Sequence, residues 1–287
     1  MAVVNTNVNA SVAQNALVRN ERNMNTSMER LSTGQRINSA ADDAAGLAIA
    51  SRMTSQIKGL ETGVRNANDA ISMISTADGA LIEVTNMLQR MRELALQSAN
   101  GTTTSADRSY LSSEYANLLA EIDRIAENTQ WNGSTILNHI TPASSQFTFQ
   151  VGANGGQTIA VDFGDMSNSN SGVFAALATG SHATIVATTT ASALTTGSSA
   201  VGLIDTAITS VNSQRATFGA AMNQLTYAVD NLSNVKVNSE AARSRILDTD
   251  YAVETSELAR TQIIQQAGTA MLAQANQLPQ TVLSLLQ

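Results

Sequence analysis

The sequence predicts a mainly α protein: a long antiparallel helical bundle or coiled coil built from the N- and C-terminal segments, with a β-hairpin and a short polar tip from the middle. Three observations carry this. Apolar residues recur in steps of three and four over long stretches toward both ends of the chain, the period of a helix face buried in a seam. Only Pro142 and Pro279 interrupt 287 residues, so long runs are free to be helix. Alternation of apolar and polar residues is confined to the middle, at Phe147, Phe149, Val151 and again at Ile159, Val161, Phe163, which signals paired strands.

The first forty residues carry a weak stripe at Ala10, Ala13, Leu17, Met24, Met28 and Leu31. Asp42 and Asp43 follow, placed to satisfy the N-terminal amides of the next helix. That helix runs from Ala44 to about Ala99 along Met53, Ile57, Leu60, Val64, Ala67, Ile71, Ile74, Ala77, Leu81, Val84, Leu88, Met91 and Ala95. One doubled three, at Ile71–Ile74–Ala77, reads as a stammer. Asn100-Gly101 ends it, after roughly 80 Å at 1.5 Å per residue. A second bundle helix shows Leu111, Tyr115, Leu118, Ile122 and Ile125 on one face, and Trp131-Asn132-Gly133 reads as a turn.

The hairpin spans 146–163, with Asn154-Gly155 suited to a turn needing positive φ. From 125 to 214 there is no lysine or arginine, and the stretch to about Ala200 is rich in Ser, Thr, Ala and Gly. Such a segment buries little surface, and it reads as an exposed loop or a short β-excursion. A third bundle helix from about Val201 follows Ile204, Ile208, Val211, Phe218, Met222, Leu225, Val229 and Leu232, with Arg215 at a seam position, its stem packed and its head in water. The chain closes on the most regular terminal seam, Ile264, Ala267, Met271, Ala275, Leu278, Val282 and Leu285. Such a seam needs a partner, either the N-terminal stripe or a neighbouring subunit. The expected domains are an inner terminal coiled coil (1–42 and 244–287), a helical-bundle core with the hairpin (43–165 and 201–243), and a reduced, exposed variable segment (166–200).

Composition narrows the function. Aromatics at 3% are scarce, and the net charge of −7 argues against nucleic acid or an anionic membrane as main partner. There is no cysteine, which excludes disulfides and thiolate metal sites. The N-terminus lacks the basic and apolar regions of a secretory signal, and no apolar run reaches the roughly 18–20 residues of a membrane span. His139 and His182 have no metal-like spacing, and metalloprotease, P-loop, nucleophile-elbow and dinucleotide motifs are all absent. The methionines fall on seam positions, as core filler. The expectation is a self-assembling structural protein with no catalytic, cofactor or metal residues.

Several motifs point the same way. Leu31–Ala50 (LSTGQRINSAADDAAGLAIA), Gln89–Asn100 (QRMRELALQSAN), Glu121–Arg124 (EIDR), the WNG turn, Val151–Asn154 (VGAN), Ala242–Ile246 (ARSRI) and Gln265–Leu286 together resemble bacterial flagellin, in a short form with a pruned centre. The resemblance implies a helical homopolymer, the extracellular flagellar filament, whose terminal helices order as subunits pack. Head-to-tail contacts whose rotation does not close make such open polymers. It further implies export by the flagellar type III apparatus, an export chaperone on the C-terminal segment, and hook-associated and cap proteins as neighbours. The assembly seam would be Leu17, Met24, Met28, Leu31, Ile264, Met271, Leu278, Val282 and Leu285. A site for Toll-like receptor 5, also an axial subunit contact, would comprise Leu88, Gln89, Arg90, Leu94 and Glu114, with Arg90 and Leu94 on one exposed stripe. The rival readings are a hook–filament junction protein, which shares the terminal helices, and a generic secreted coiled-coil assembly protein.

Overall fold

A computed structural model describes residues 7–138, 146–167, 172–178 and 190–284, with side chains throughout these except at 190–197 and 278–284. Along the chain come α1 (Val8–Thr33), α2 (Ala44–Ala99), α3 (Ser105–Asn128), β1 (Gln130–Trp131), β2 (Ser134–Thr135), β3 (Gln146–Gln150), β4 (Thr158–Asp162), α4 (Ala175–Ala178), α5 (Thr190–Leu247) and α6 (Tyr251–Ser284). The chain divides into two compact units, Met1–Ile57 with Val237–Gln287, and Lys58–Lys236. Helices α2 and α5 supply residues to both. The histidines, Pro142 and Leu285 lie outside the described residues, as do the side chains of Leu278 and Val282.

In the first unit, α1 and α6 pack together as an antiparallel pair. Asn7 caps α1 by accepting from the Ala10 amide, and Gly34 ends it in the left-handed region at φ 70, its N–H donating to the Arg30 carbonyl, a conformation glycine adopts without penalty. The segments between these helices and the rest of the chain are stapled to one another. Gln35 and Asp248 form an antiparallel bridge, with Arg36 N donating to Leu247 O at 2.7 Å and Thr249 N to Gly34 O at 3.1 Å. The Arg36 guanidinium adds a bond to Ile246 O at 2.7 Å. Only Asp43 caps α2, accepting from the Gly46 amide at 2.9 Å. Asp42 instead gathers the amides of Asn38 and Ser39 and the Ser39 hydroxyl.

The second unit holds one hydrophobic core, drawn from α2, α3, α4, α5 and the strands. From Ala67 the buried face of α2 runs Ala67, Ala70, Ile74, Ala77, Leu81, Val84, Leu88, Met91, Ala95 and Ser98, in steps of three and four without a slip. Ala70, not the larger Ile71, holds the seam. The change of phase therefore sits earlier, around Gly63, where the hairpin docks. A Cβ on Gly63 would stand 2.5 Å from the Val151 carbonyl oxygen, and one on Gly59 2.9 Å from the Ala153 Cβ. Asn66 fixes the approach, its amide donating to Gln150 O at 2.9 Å.

On α3 the buried line is Arg108, Ser112, Tyr115, Leu119, Ile122 and Ala126, while the predicted Leu111, Leu118 and Ile125 flank it half-buried. A capping box, Thr104 with Asp107, starts this helix. Asn132 and Gly133 both have positive φ, 49 and 81, as a two-residue turn between β1 and β2 requires. The longer hairpin pairs Phe147 with Val161 and Phe149 with Ile159. Its positive φ falls at Gly156, not at Asn154-Gly155, because the connection is a longer loop braced by Gln150 and Gln157 side chains. Phe163 joins the hairpin to α5 through Phe218, ring centroids 5.1 Å apart.

Two further expectations change. The Arg215 side chain stays 34% exposed, and its head, expected only to reach water, also pairs with Asp78 at 2.8 Å. The segment 166–200 is not simply exposed: Met166, Phe174 and Leu177 enter the core, and α5 begins at Thr190, well before Val201.

Candidate functional site

The chemistry of this chain lies on two helix surfaces. The first is the terminal pair. Leu17, Met24 and Leu31 are half-buried on the face of α1 that meets α6, whereas Met28 is 54% exposed. The centre of that face is polar. Asn20 and Ser27 are buried, and the Asn20 amide donates to the Thr261 carbonyl at 2.8 Å and to Gln265 Oε1 at 3.1 Å. At one end Asn7 donates to Ala275 O at 2.8 Å; toward the other, Arg30 stands 3.7 Å from the buried Glu254.

Up to Leu272 helix α6 is turned by one position from the expected register, which it rejoins at Ala275. Its inward residues are Glu254, Leu258, Thr261, Gln265, Gly268, Leu272 and Ala275, a strict four-three repeat. The predicted Ile264 and Met271 are exposed at 43% and 66%. The cause is close approach: Leu17 lies so near Gly268 that a Cβ there would be 2.8 Å from its Cδ2. At the centre, Thr261, Gln265 and Gly268 therefore face inward, with Leu258 and Leu272 on either side of them, while Ile263, Ile264 and Met271 face out. Val12, Val18, Met28, Ile263, Ile264 and Met271 all present apolar surface to solvent. Ala13, Ala16, Leu17, Ile264, Gly268 and Met271 line an apolar groove of about 180 Å³ between the helices. Asn20 was hidden in the sequence, yet the seven-residue jump from Leu17 to Met24 in the apolar stripe marks where it sits.

The second surface surrounds Arg90. Its Nε donates to Glu114 Oε1 at 2.8 Å and its Nη1 to Glu93 Oε2 at 3.0 Å. Those bonds, with Glu114 first, hold the guanidinium's pKa above its ordinary value. Gln89 lies beside it, exposed. Leu94 and Leu88 are fully buried, so Leu94 does not share Arg90's exposed stripe. Helix α2 is covered by both α3 and α5, through the Arg90–Glu114 and Arg92–Asp205 pairs, and a helix with two neighbours buries a wider stripe than a single seam. Glu93, missed in the sequence, completes the charged cluster.

No group of His, Cys, Asp or Glu among the described residues is arranged to hold a metal. No helix among them is long and apolar enough to cross a membrane. Long helices zipped by polar contacts, with apolar faces turned outward, define a structural subunit of an assembly. Residues 4–141 match the bacterial flagellin N-terminal helical region, and 201–286 the bacterial flagellin C-terminal helical region. Flagellin of Halalkalibacterium halodurans is 42% identical over 99% of this chain and 100% of its own length. Flagellin A of Vibrio cholerae serotype O1 is 37% identical over 99% of each chain. A crystal structure of Bacillus cereus flagellin is 32% identical, covering 58% of this chain and 88% of that one, with a TM-score of 0.49. The chain belongs to the bacterial flagellin family. It is a structural subunit of the flagellar filament, and its place is the extracellular filament.

Proposed function

We propose that filament assembly orders α1 and α6 and buries their outward apolar faces against neighbouring copies, while their inward faces zip to each other within each chain. The observation that carries this is the exposure of Ile263, Ile264 and Met271 together with Val12 and Val18 on a pair whose own interface is polar at its centre. Apolar burial contributes about 25 cal/mol per Å², so a polymer that covers these side chains gains what the isolated chain forgoes. Before assembly, the same face of α6 suits a C-terminal-binding export chaperone, and export by the flagellar apparatus follows the family. Hook-associated and cap proteins would meet this face at the filament's ends. The test is polymerisation of an Ile263→Asp, Met271→Asp chain. The reading predicts soluble monomer with the melting of the second unit unchanged; filaments of normal length would refute it.

A second reading concerns the Arg90 surface. Gln89, Arg90 and Glu114 offer a preorganised charged contact for Toll-like receptor 5 or for an axial neighbour, with Leu88 and Leu94 acting only from beneath by holding α2 in place. Arginine held between carboxylates is a common hot-spot residue. Arg90→Ala should weaken binding of monomer to the receptor ectodomain about tenfold or more. Equal affinity of the two chains would remove the receptor role.

A further inference from the structure

We propose that Asn20 is the residue that selects the axial register of the α1–α6 pair, and that its role is specificity of pairing, not strength. The inward faces of both helices repeat every seven residues: Ala10, Leu17, Met24, Leu31 and Ala13, Asn20, Ser27 on α1; Glu254, Thr261, Gly268, Ala275 and Leu258, Gln265, Leu272 on α6. Two such repeats can zip in more than one register, offset by seven residues, and shape alone discriminates weakly between them.

The contacts fix which register is present. Leu17 meets Gly268, and three residues on along α1 and back along α6, Asn20 meets Gln265. Continuing in the same sense brings Ala13 opposite Leu272 and Ser27 opposite Leu258. A slip of seven residues in either direction would then set Asn20 against Leu272 or Leu258, burying its amide beside an aliphatic side chain. Gln265 would lose its amide partner in both. The slipped pairs also take Leu17 off Gly268, the inward position with no side chain. Asn20 is 7% exposed; its bond to the Thr261 main-chain carbonyl has an equivalent carbonyl seven residues along, so the Gln265 side-chain bond is the one that distinguishes the registers, and losing it at a buried site is costly. A single buried asparagine at a seam position is a known device for setting register at some cost in stability.

Replacing Asn20 with leucine reverses the preference, because a leucine at this position packs better against Leu272 or Leu258 than against the Gln265 amide. The chain has no cysteine, so disulfides can report the register directly in the full-length protein. Leu17→Cys with Gly268→Cys reads the native register. Leu17→Cys with Ala275→Cys, and with Thr261→Cys, read the two slips. Each pair is oxidised with and without Asn20→Leu under polymerising conditions, where the terminal helices are ordered, and short oligomers are read together with filaments. With Asn20 present, only the 17–268 disulfide should form. With Asn20→Leu, a 17–275 or 17–261 disulfide should rise from absent to a yield comparable with 17–268. A variant that still forms only 17–268 overturns the proposal. One that forms none of the three also overturns it, since Asn20 would then hold the pair together rather than choose its alignment.

Discussion

Arg108, near the start of α3, donates from Nε to the Ser98 carbonyl at 3.1 Å and from Nη2 to Asn100 O at 3.3 Å. It is 3% exposed and closes the C-terminal end of α2, where carbonyls have no helical partner and the dipole favours a cation. Truncating it to alanine strands those carbonyls. Arg108→Ala should lower the stability of the second unit by about 2 kcal/mol in a urea melt, with the slope unchanged. A loss no larger than that of an exposed control such as Arg124→Ala would show that the capping contributes nothing.

Gly63 and Gly79 lie on the same helix in opposite circumstances. A Cβ at Gly63 meets the Val151 carbonyl oxygen at 2.5 Å, while one at Gly79 meets nothing within 4 Å. Gly63→Ala should push the hairpin off α2 and destabilise by about 1–3 kcal/mol. Gly79→Ala should stabilise by about 0.5–1 kcal/mol. Thermal melts of the two variants side by side check both signs.

Burial pushes the Tyr115 phenol up to about 12, and among the described residues its hydroxyl has no hydrogen-bond partner. Because the folded value lies above the unfolded one, the neutral phenol's contribution is fully present below about pH 10 and is lost as pH rises through about 12. Tyr115→Phe should match or exceed the parent near neutral pH and should be the more stable chain above about pH 10. Melts across that range would contradict this if the parent and variant fell in parallel.

What could be read from the sequence follows the size of the side chains doing the packing. The long seam of α2 was legible because Leu81, Val84, Leu88 and Met91 are large and regularly spaced, and the hairpin because Phe147 and Phe149 alternate with polar residues. The register of α6 was not, because the centre of its inward face is Thr261, Gln265 and Gly268 while Ile263, Ile264 and Met271 face solvent. Leu94 was misplaced because a single seam was assumed where α2 meets two helices. Nothing in the spacing around Arg108 marks it as a residue that reaches back to the end of α2. Phe174 and Leu177, isolated among small polar residues, carried no period by which to see that they reach the core.

The central claim is that the outward faces of the terminal helices are the surfaces the filament buries. Thiol reactivity tests it most directly in this cysteine-free chain. Met271→Cys should react readily with a maleimide in the monomer, as its 66% exposure requires, and should be protected at least about tenfold once the chain has polymerised. Equal labelling rates in monomer and filament would contradict the account and leave the apolar face of α6 without its proposed partner.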